Sequence, residues 1–197
     1  MQSYLFFGPP GSGKGTQKGM LADALGGEES DSVAVIETGQ LLRDFMEEKD
    51  TLIKKCLADI MESGGLVPSA FPISTWINAL TDKAGHYEHI IVDGAGRKLV
   101  EAKIIVEFLQ FFPDSTIHVV YLDVHDDEVL ERLLKRGRVD DKEDVIKNRL
   151  KVYKDAETGT VASINFLRGS NEVTFHPVDG VGAIEVVHRR VCDTLGV

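Results

Sequence analysis

Cysteine is scarce. Two thiols, Cys56 and Cys192, occur in 197 residues, and no C-x-x-C spacing joins them. That excludes a zinc site built from cysteine and a disulfide framework, and leaves two isolated thiols packed in a reducing compartment. Positive charge is short as well: 22 Lys and Arg stand against 32 Asp and Glu, a net charge of −10. Tracking a nucleic-acid backbone takes clustered Lys and Arg, so no nucleic-acid partner is expected. There is no apolar run long enough to cross a bilayer, and there are no repeats or low-complexity linkers. The first residues commit at once to a strand and a glycine loop, unlike a signal peptide. These absences point to a cytoplasmic protein, without membrane contact, that takes a small ligand. Any anionic ligand must be held by a few local basic residues.

What is present begins at Gly8-Pro9-Pro10-Gly11-Ser12-Gly13-Lys14-Gly15-Thr16. An apolar run, Tyr4 to Phe7, precedes it, and a stretch of helical composition, Thr16 to Leu25, follows. Strand, glycine turn and helix in that order, with GxxxxGK at Gly8, Gly13 and Lys14, is the pattern of a phosphate-binding P-loop. Backbone N–H groups wrap phosphate oxygens, lysine adds a mobile charge, and side chains at Gly11 or Gly13 would block the wrap. A plain connecting turn needs neither the second spaced glycine nor the lysine. Gly15 stands where Ser or Thr usually holds magnesium, and the hydroxyl follows at Thr16.

Further apolar runs at Val33–Ile36, His89–Asp93, Thr116–Leu122 and Val173–Phe175 alternate with helical patterns. Continuously apolar strands separated by helices predict an α/β fold, a parallel sheet covered on both faces, with its ligand site at the carboxyl ends of the strands. Thr38 is expected to cap a helix from Gly39 to Lys49, and a second helix, Thr51 to Ser63, follows with no strand between. One long charged helix is expected from Asp141 to about Phe166.

Asp93 ends a strand beside the P-loop, where a carboxylate suits magnesium held through water; the Asp-Gly pair also fits an ordinary turn. Arg43, Arg97, Arg132, Arg136, Arg138 and Arg149 fall near predicted loops or helix ends. Arg132 and Arg136, four apart, share a helical face. Arginines gathered on an acidic chain suit several phosphates, and phosphoryl transfer is mostly alignment and charge neutralisation.

Five motifs in order then carry a resemblance: GPPGSGKGTQ at Gly8–Gln17, TGQLLR at Thr38–Arg43, GLVP at Gly65–Pro68, DGAGR at Asp93–Arg97 and KRGRVDD at Lys135–Asp141. Together they resemble the adenylate kinases, within the nucleoside monophosphate kinases, whose GKGT also accounts for Gly15. The resemblance implies a P-loop three-layer sandwich over residues 1–197, with a five-stranded parallel sheet, helices on both faces and a small helical insertion, 38–67, for the monophosphate. It implies ATP plus AMP giving two ADP with magnesium, through direct attack of the AMP phosphate oxygen.

Position by position, Gly11, Ser12, Gly13, Lys14, Gly15 and Thr16 resemble the ATP phosphate cradle, with Arg132, Arg136 and Gly180 on the same side. Thr38, Gly39, Arg43, Gly65, Leu66, Val67, Gly94, Arg97 and Glu101 resemble the AMP site. Arg138 and Arg149 match residues that bridge both nucleotides, so Lys14, Arg97, Arg136, Arg138 and Arg149 form the implied catalytic set, with Asp93 toward magnesium.

Three departures stand out. The family's lid is reduced to a vestige at 136–139, which implies either cover from a neighbouring subunit or a wetter site that leaks ATP hydrolysis; a monomer and a small homo-oligomer both remain open. Gly96 replaces the family's proline. Glu101 replaces a glutamine that pairs with adenine, and a carboxylate can accept from a base's amino group but cannot donate. GMP, CMP or UMP therefore stay open as acceptors, as does an i, i+4 pair between Arg97 and Glu101 with base choice made by backbone. A nucleotide-binding switch that has lost efficient transfer is the reading from another class.

Overall fold

A computed structural model describes residues 1–27, 32–47, 51–137 and 142–197. Successive residues of β1 (Gln2–Phe7) feed two different cores. Leu5 and Phe7 face the same side as Ala34 and Ile36 of β2 (Val33–Glu37), Ile90 and Val92 of β3 (His89–Asp93) and Val119 of β4 (Thr116–Asp123). Tyr4, Phe6, Ile91, Val120 and Leu122 face the other side with Val178 of β5 (Thr174–Asp179). Strands apolar on both faces need helices on both, and that forces crossover connections and parallel pairing. The sheet runs β2-β3-β1-β4-β5, and every neighbouring pair is parallel.

On the first face lie α4 (Ala70–Lys83), α5 (Leu99–Gln110) and α8 (Thr160–Gly169), which bury Trp76, Leu80, Ile105, Leu109 and Leu167. On the second lie α1 (Lys14–Ala24) and α9 (Ile184–Leu195), which bury Leu21, Val187 and Val191. Each such side chain contributes about 1.5–3 kcal/mol by leaving water. The chain is thus a P-loop α/β sandwich of three layers.

Two helix pairs stand beside this frame. Between β2 and β3, α2 (Thr38–Glu47) and α3 (Leu52–Glu62) enclose a small cluster of their own, Leu42, Leu57 and Val67. After β4, α6 (Asp126–Arg136) and α7 (Glu143–Lys154) pack through Val129, Leu133 and Ile146. The vestige at 136–139 lies between these two, and Arg138 and Val139 are outside the described residues, as is Lys49.

The single helix expected from Asp141 to Phe166 is two, α7 and α8. Asp155 ends the first by turning its Oδ1 onto the N–H groups of Glu157 and Thr158, at 2.9 and 2.7 Å. A short acidic side chain that satisfies the backbone this way competes with helix continuation. The last strand runs beyond Phe175 through Pro177 to Asp179, because β5 is an edge strand where a missing N–H costs no ladder bond. α2 begins at Thr38 itself, directly after β2, so Thr38 is inside the helix rather than its cap.

Candidate active site

The glycine loop joins β1 to α1 at the carboxyl edge of the sheet. Gly8 has φ 144°, and a Cβ there would stand 2.6 Å from the Leu122 carbonyl oxygen. At Gly11, φ 82°, it would stand 2.7 Å from Leu133 Cγ. Gly13, φ 93°, is the left-handed N-cap of α1, and a Cβ there would meet no heavy atom within 4 Å. Its glycine is therefore required by the turn, and the space beside it is open to a ligand. Ser12 is buried, whereas Gly15 and Thr16 are exposed on the first turn of α1.

Lys14 Nζ donates to the carbonyls of Gly8 and Pro9, each at 2.9 Å. Burial pushes its pKa down to about 8; Asp93 opposes that shift, while Arg97 and Arg136 reinforce it. One carboxylate and three cations therefore share an edge, an arrangement chemically suited to an anion. Arg132 ties this edge together. It pairs with Glu128 at 2.9 Å and donates to the Gly180 carbonyl at 3.1 Å and, at 3.5 Å, to that of Ser12. Gly180 packs tightly, since a Cβ would stand 2.6 Å from Val124 Cγ2.

Beside the loop, between the α2–α3 pair and β3, is a pocket whose lining includes eight of the residues assigned to the monophosphate: Thr38, Gly39, Gly65, Leu66, Val67, Gly94, Arg97 and Glu101. Leu42, Met61 and Pro72 complete its apolar walls. The Thr38 hydroxyl is buried and, among the described residues, has no hydrogen-bond partner, an unsatisfied donor and acceptor in the lining of the pocket. Arg97 is exposed and lies against Gly94, where an added Cβ would be 3.0 Å from its guanidinium. Arg43 is exposed at the rim, held by Gln40 Oε1 at 2.7 Å. Arg149 comes from α7 and lies over Gly64, where a Cβ would stand 2.7 Å from its Cγ. Arg138 is outside the described residues.

Glu101 is 2 % exposed and forms no ion pair with Arg97. Its Oε2 accepts the backbone N–H groups of Arg97 and Lys98, at 3.0 and 3.3 Å, and its Oε1 accepts the Ser69 hydroxyl at 2.8 Å. The carboxylate caps α5 and pins the loop that carries Arg97. Lys98 adds a second tie, donating to the Val67 carbonyl at 2.9 Å. Gly96 turns that loop at φ 71°, a conformation proline cannot take.

Asp93 ends β3, with a fifth of its side chain exposed. Among the described residues no three His, Cys, Asp or Glu converge as a metal cage. A hard cation at Asp93 would take most of its oxygens from water and phosphate, the habit of magnesium. Two residues beside Asp93 carry no motif. Lys18, buried on α1, contacts Glu37 and lies 3.8 Å from Asp93. Their only signal in the sequence is spacing: Lys18 stands four after Lys14, on one helical face, and Glu37 immediately precedes Thr38. Ser69 and Lys98 were equally silent, since their contacts are made across the fold.

Comparison with known proteins fits this geometry. The sequence model of the family described as "Adenylate kinase" matches residues 6–166. Over the whole of both chains, this one is 38 % identical to "Adenylate kinase 1" of Nostoc sp.. It is 32 % identical to the "Adenylate kinase" of Thermus thermophilus, over all of this chain and 98 % of that one. It is 40 % identical to that of Prochlorococcus marinus over 77 % of this chain and 78 % of that one. A phosphate loop, a pocket beside it and arginines along their common edge, in a chain that matches the family model over most of its length and the Nostoc and Thermus proteins from end to end, make this protein a member of the adenylate kinase family.

Proposed function

We propose that the chain transfers the γ-phosphoryl group of ATP to AMP, giving two ADP. The observation that carries this is the common edge: Lys14 of the phosphate loop feels the charge of Arg97, and Arg97 lines the neighbouring pocket. ATP phosphates rest on residues Gly11 to Thr16, with Lys14 on the β- and γ-phosphates and Arg132, Arg136 and the Gly180 backbone on the same side. AMP enters the pocket of Thr38 and Glu101. Thr38, Gly39 and Arg43 contact AMP; Gly65, Leu66 and Val67 line the base, and Arg97 holds the α-phosphate.

An oxygen of that phosphate attacks the γ-phosphorus, and the bond to the β–γ bridging oxygen breaks, leaving its electron pair on departing ADP. No protein atom bonds to phosphorus. Lys14, Arg97 and Arg136, with Arg138 and Arg149 bridging the two nucleotides, neutralise charge as it spreads over the transferring oxygens. Asp93 would hold magnesium through water, and when bound the ion supplies further positive charge to the phosphates. Burial of the Glu101 carboxylate under three donors supports a role in aiming Arg97 rather than in choosing the base.

Diphosphate formation from ATP and magnesium with each of AMP, GMP, CMP and UMP tests both assignments. AMP is expected to be the best acceptor; transfer to none, or faster transfer to another, overturns the proposal. Glu101→Gln keeps an accepting oxygen for the two N–H groups, so the ranking of acceptors is expected to stay the same. Glu101→Ala loses the tie and is expected to raise KM for every acceptor by about tenfold, the cost of about one lost charged hydrogen bond. A changed ranking in Glu101→Gln would return base choice to that residue.

A further inference from the structure

Lys18 is a charged side chain placed where water barely reaches it, with 8 % exposed. Its ammonium contacts Glu37 and lies 3.8 Å from Asp93. These two carboxylates end β2 and β3 and stand directly opposite each other in register. Neighbouring carboxylates at a sheet edge offer a divalent cation two anionic oxygen donors, and affinity for such ions rises with the number of charged ligands. A fixed ammonium between them reverses this, since it uses the oxygens and repels an incoming cation. Burying it costs solvation that these two carboxylates offset, so its place is fixed by the same pair it screens.

Given the assignment of Asp93 to magnesium above, on which this rests, we propose that Lys18 is a positioning residue that keeps the Glu37–Asp93 pair from capturing a divalent cation in the absence of nucleotide. It confines Glu37 to an ion pair and leaves Asp93 as the single carboxylate that meets a cation arriving with ATP. Lys14, one turn earlier on α1, also acts on the Asp93 charge. Its departure to the phosphates lowers the positive field at Asp93 only when a nucleotide is present. Lys18 cannot leave in that way, because it is enclosed and held by Glu37. The two lysines therefore divide the work: one charge moves with the nucleotide, and the other is permanent.

Manganese(II) is the probe, with its binding to the nucleotide-free protein followed by loss of the free-ion paramagnetic signal. Lys18→Met keeps the length and the packing, and Glu37, half exposed, stays hydrated, so the fold is expected to survive. Wild type is expected to bind manganese weakly, Lys18→Met about tenfold or more tightly, as follows from removing one unit charge about 4 Å from the site. Adding Asp93→Asn to Lys18→Met is expected to abolish the gain. Equal binding by wild type and Lys18→Met, or a gain that survives Asp93→Asn, overturns the proposal.

Glu37→Gln offers an independent arm should Lys18→Met not fold. It turns Lys18 wholly onto Asp93, so magnesium is expected to improve ATP affinity, measured by calorimetry, less than in wild type; an unchanged improvement overturns the proposal. An Asp93→Asn single variant that keeps the full wild-type improvement removes Asp93 from magnesium altogether and overturns both. Failure of the Lys18 and Glu37 arms alone leaves the magnesium assignment standing.

Discussion

Lys14 gives the site a pH signature. In the nucleotide-free protein its pKa is pushed down to about 8, first by burial, and a polyanion on the ammonium favours the charged form. The bound state therefore has the higher pKa, and binding takes up a proton above pH 8. ATP affinity is expected to hold steady below about pH 7 and to fall as pH rises through 8 toward 10. Calorimetry in buffers of different ionisation enthalpy checks the proton uptake directly, and an affinity flat from pH 7 to 9.5 would contradict it. The same residue shows what a sequence conveys and what it omits. The spacing Gly8, Gly13, Lys14 announces the loop because backbone turns depend on local residue type. The depressed pKa depends first on burial within the fold and then on Arg97 and Arg136, far away in the chain, and no local pattern encodes that.

At the scale of elements, all five strands were legible, since apolar runs bounded by turn residues are strong local signals. The break between α7 and α8 was not. Helical composition continues across residues 155–158, Asp155-Ala156-Glu157-Thr158, and the side chain of Asp155, folded onto the following N–H groups, ends the helix there. Gly159 then passes so close to α7 that a Cβ would stand 2.1 Å from the Val152 carbonyl oxygen and 2.7 Å from that of Asp155. Both are backbone atoms and cannot swing aside. Gly159→Ala is therefore expected to lower stability by roughly 1–3 kcal/mol, the usual cost of overpacking, as a shift in the urea midpoint at constant slope. Activity per folded molecule is expected to change little, because α8 supplies none of the residues assigned to either nucleotide. The pocket was legible for a different reason: its residues fall in short motifs, whereas the ties that set its shape, Ser69 to Glu101 and Lys98 to Val67, join segments some thirty residues apart.

Across the whole sheet, the edge opposite the phosphate loop carries a second polar row. His89, Tyr4, His118 and His176 come from β3, β1, β4 and β5 and stand on one face toward the amino ends of the strands. Tyr4 stacks on His118 with ring centroids 5.3 Å apart. His118 Nδ1 and His176 Nε2 share a hydrogen bond of 3.0 Å, in which one neutral ring donates and the other accepts. Burial lowers the pKa of all three imidazoles, and the neighbouring His176 lowers that of His118 further. The unfolded chain keeps the ordinary imidazole value of about 6.5, so between that value and the depressed folded values it binds more protons than the fold. Stability is thus retained above the unfolded pKa and lost as pH falls through it toward the depressed folded values. Two protons on the His118–His176 pair would also place like charges in contact. The melting temperature is expected to fall between pH 7 and pH 5, with proton uptake on unfolding. Replacing both His118 and His176 with glutamine, which keeps a donor and an acceptor without a titrating group, is expected to flatten that fall. An acid limb equally steep in the double variant would assign the loss of stability to carboxylates instead.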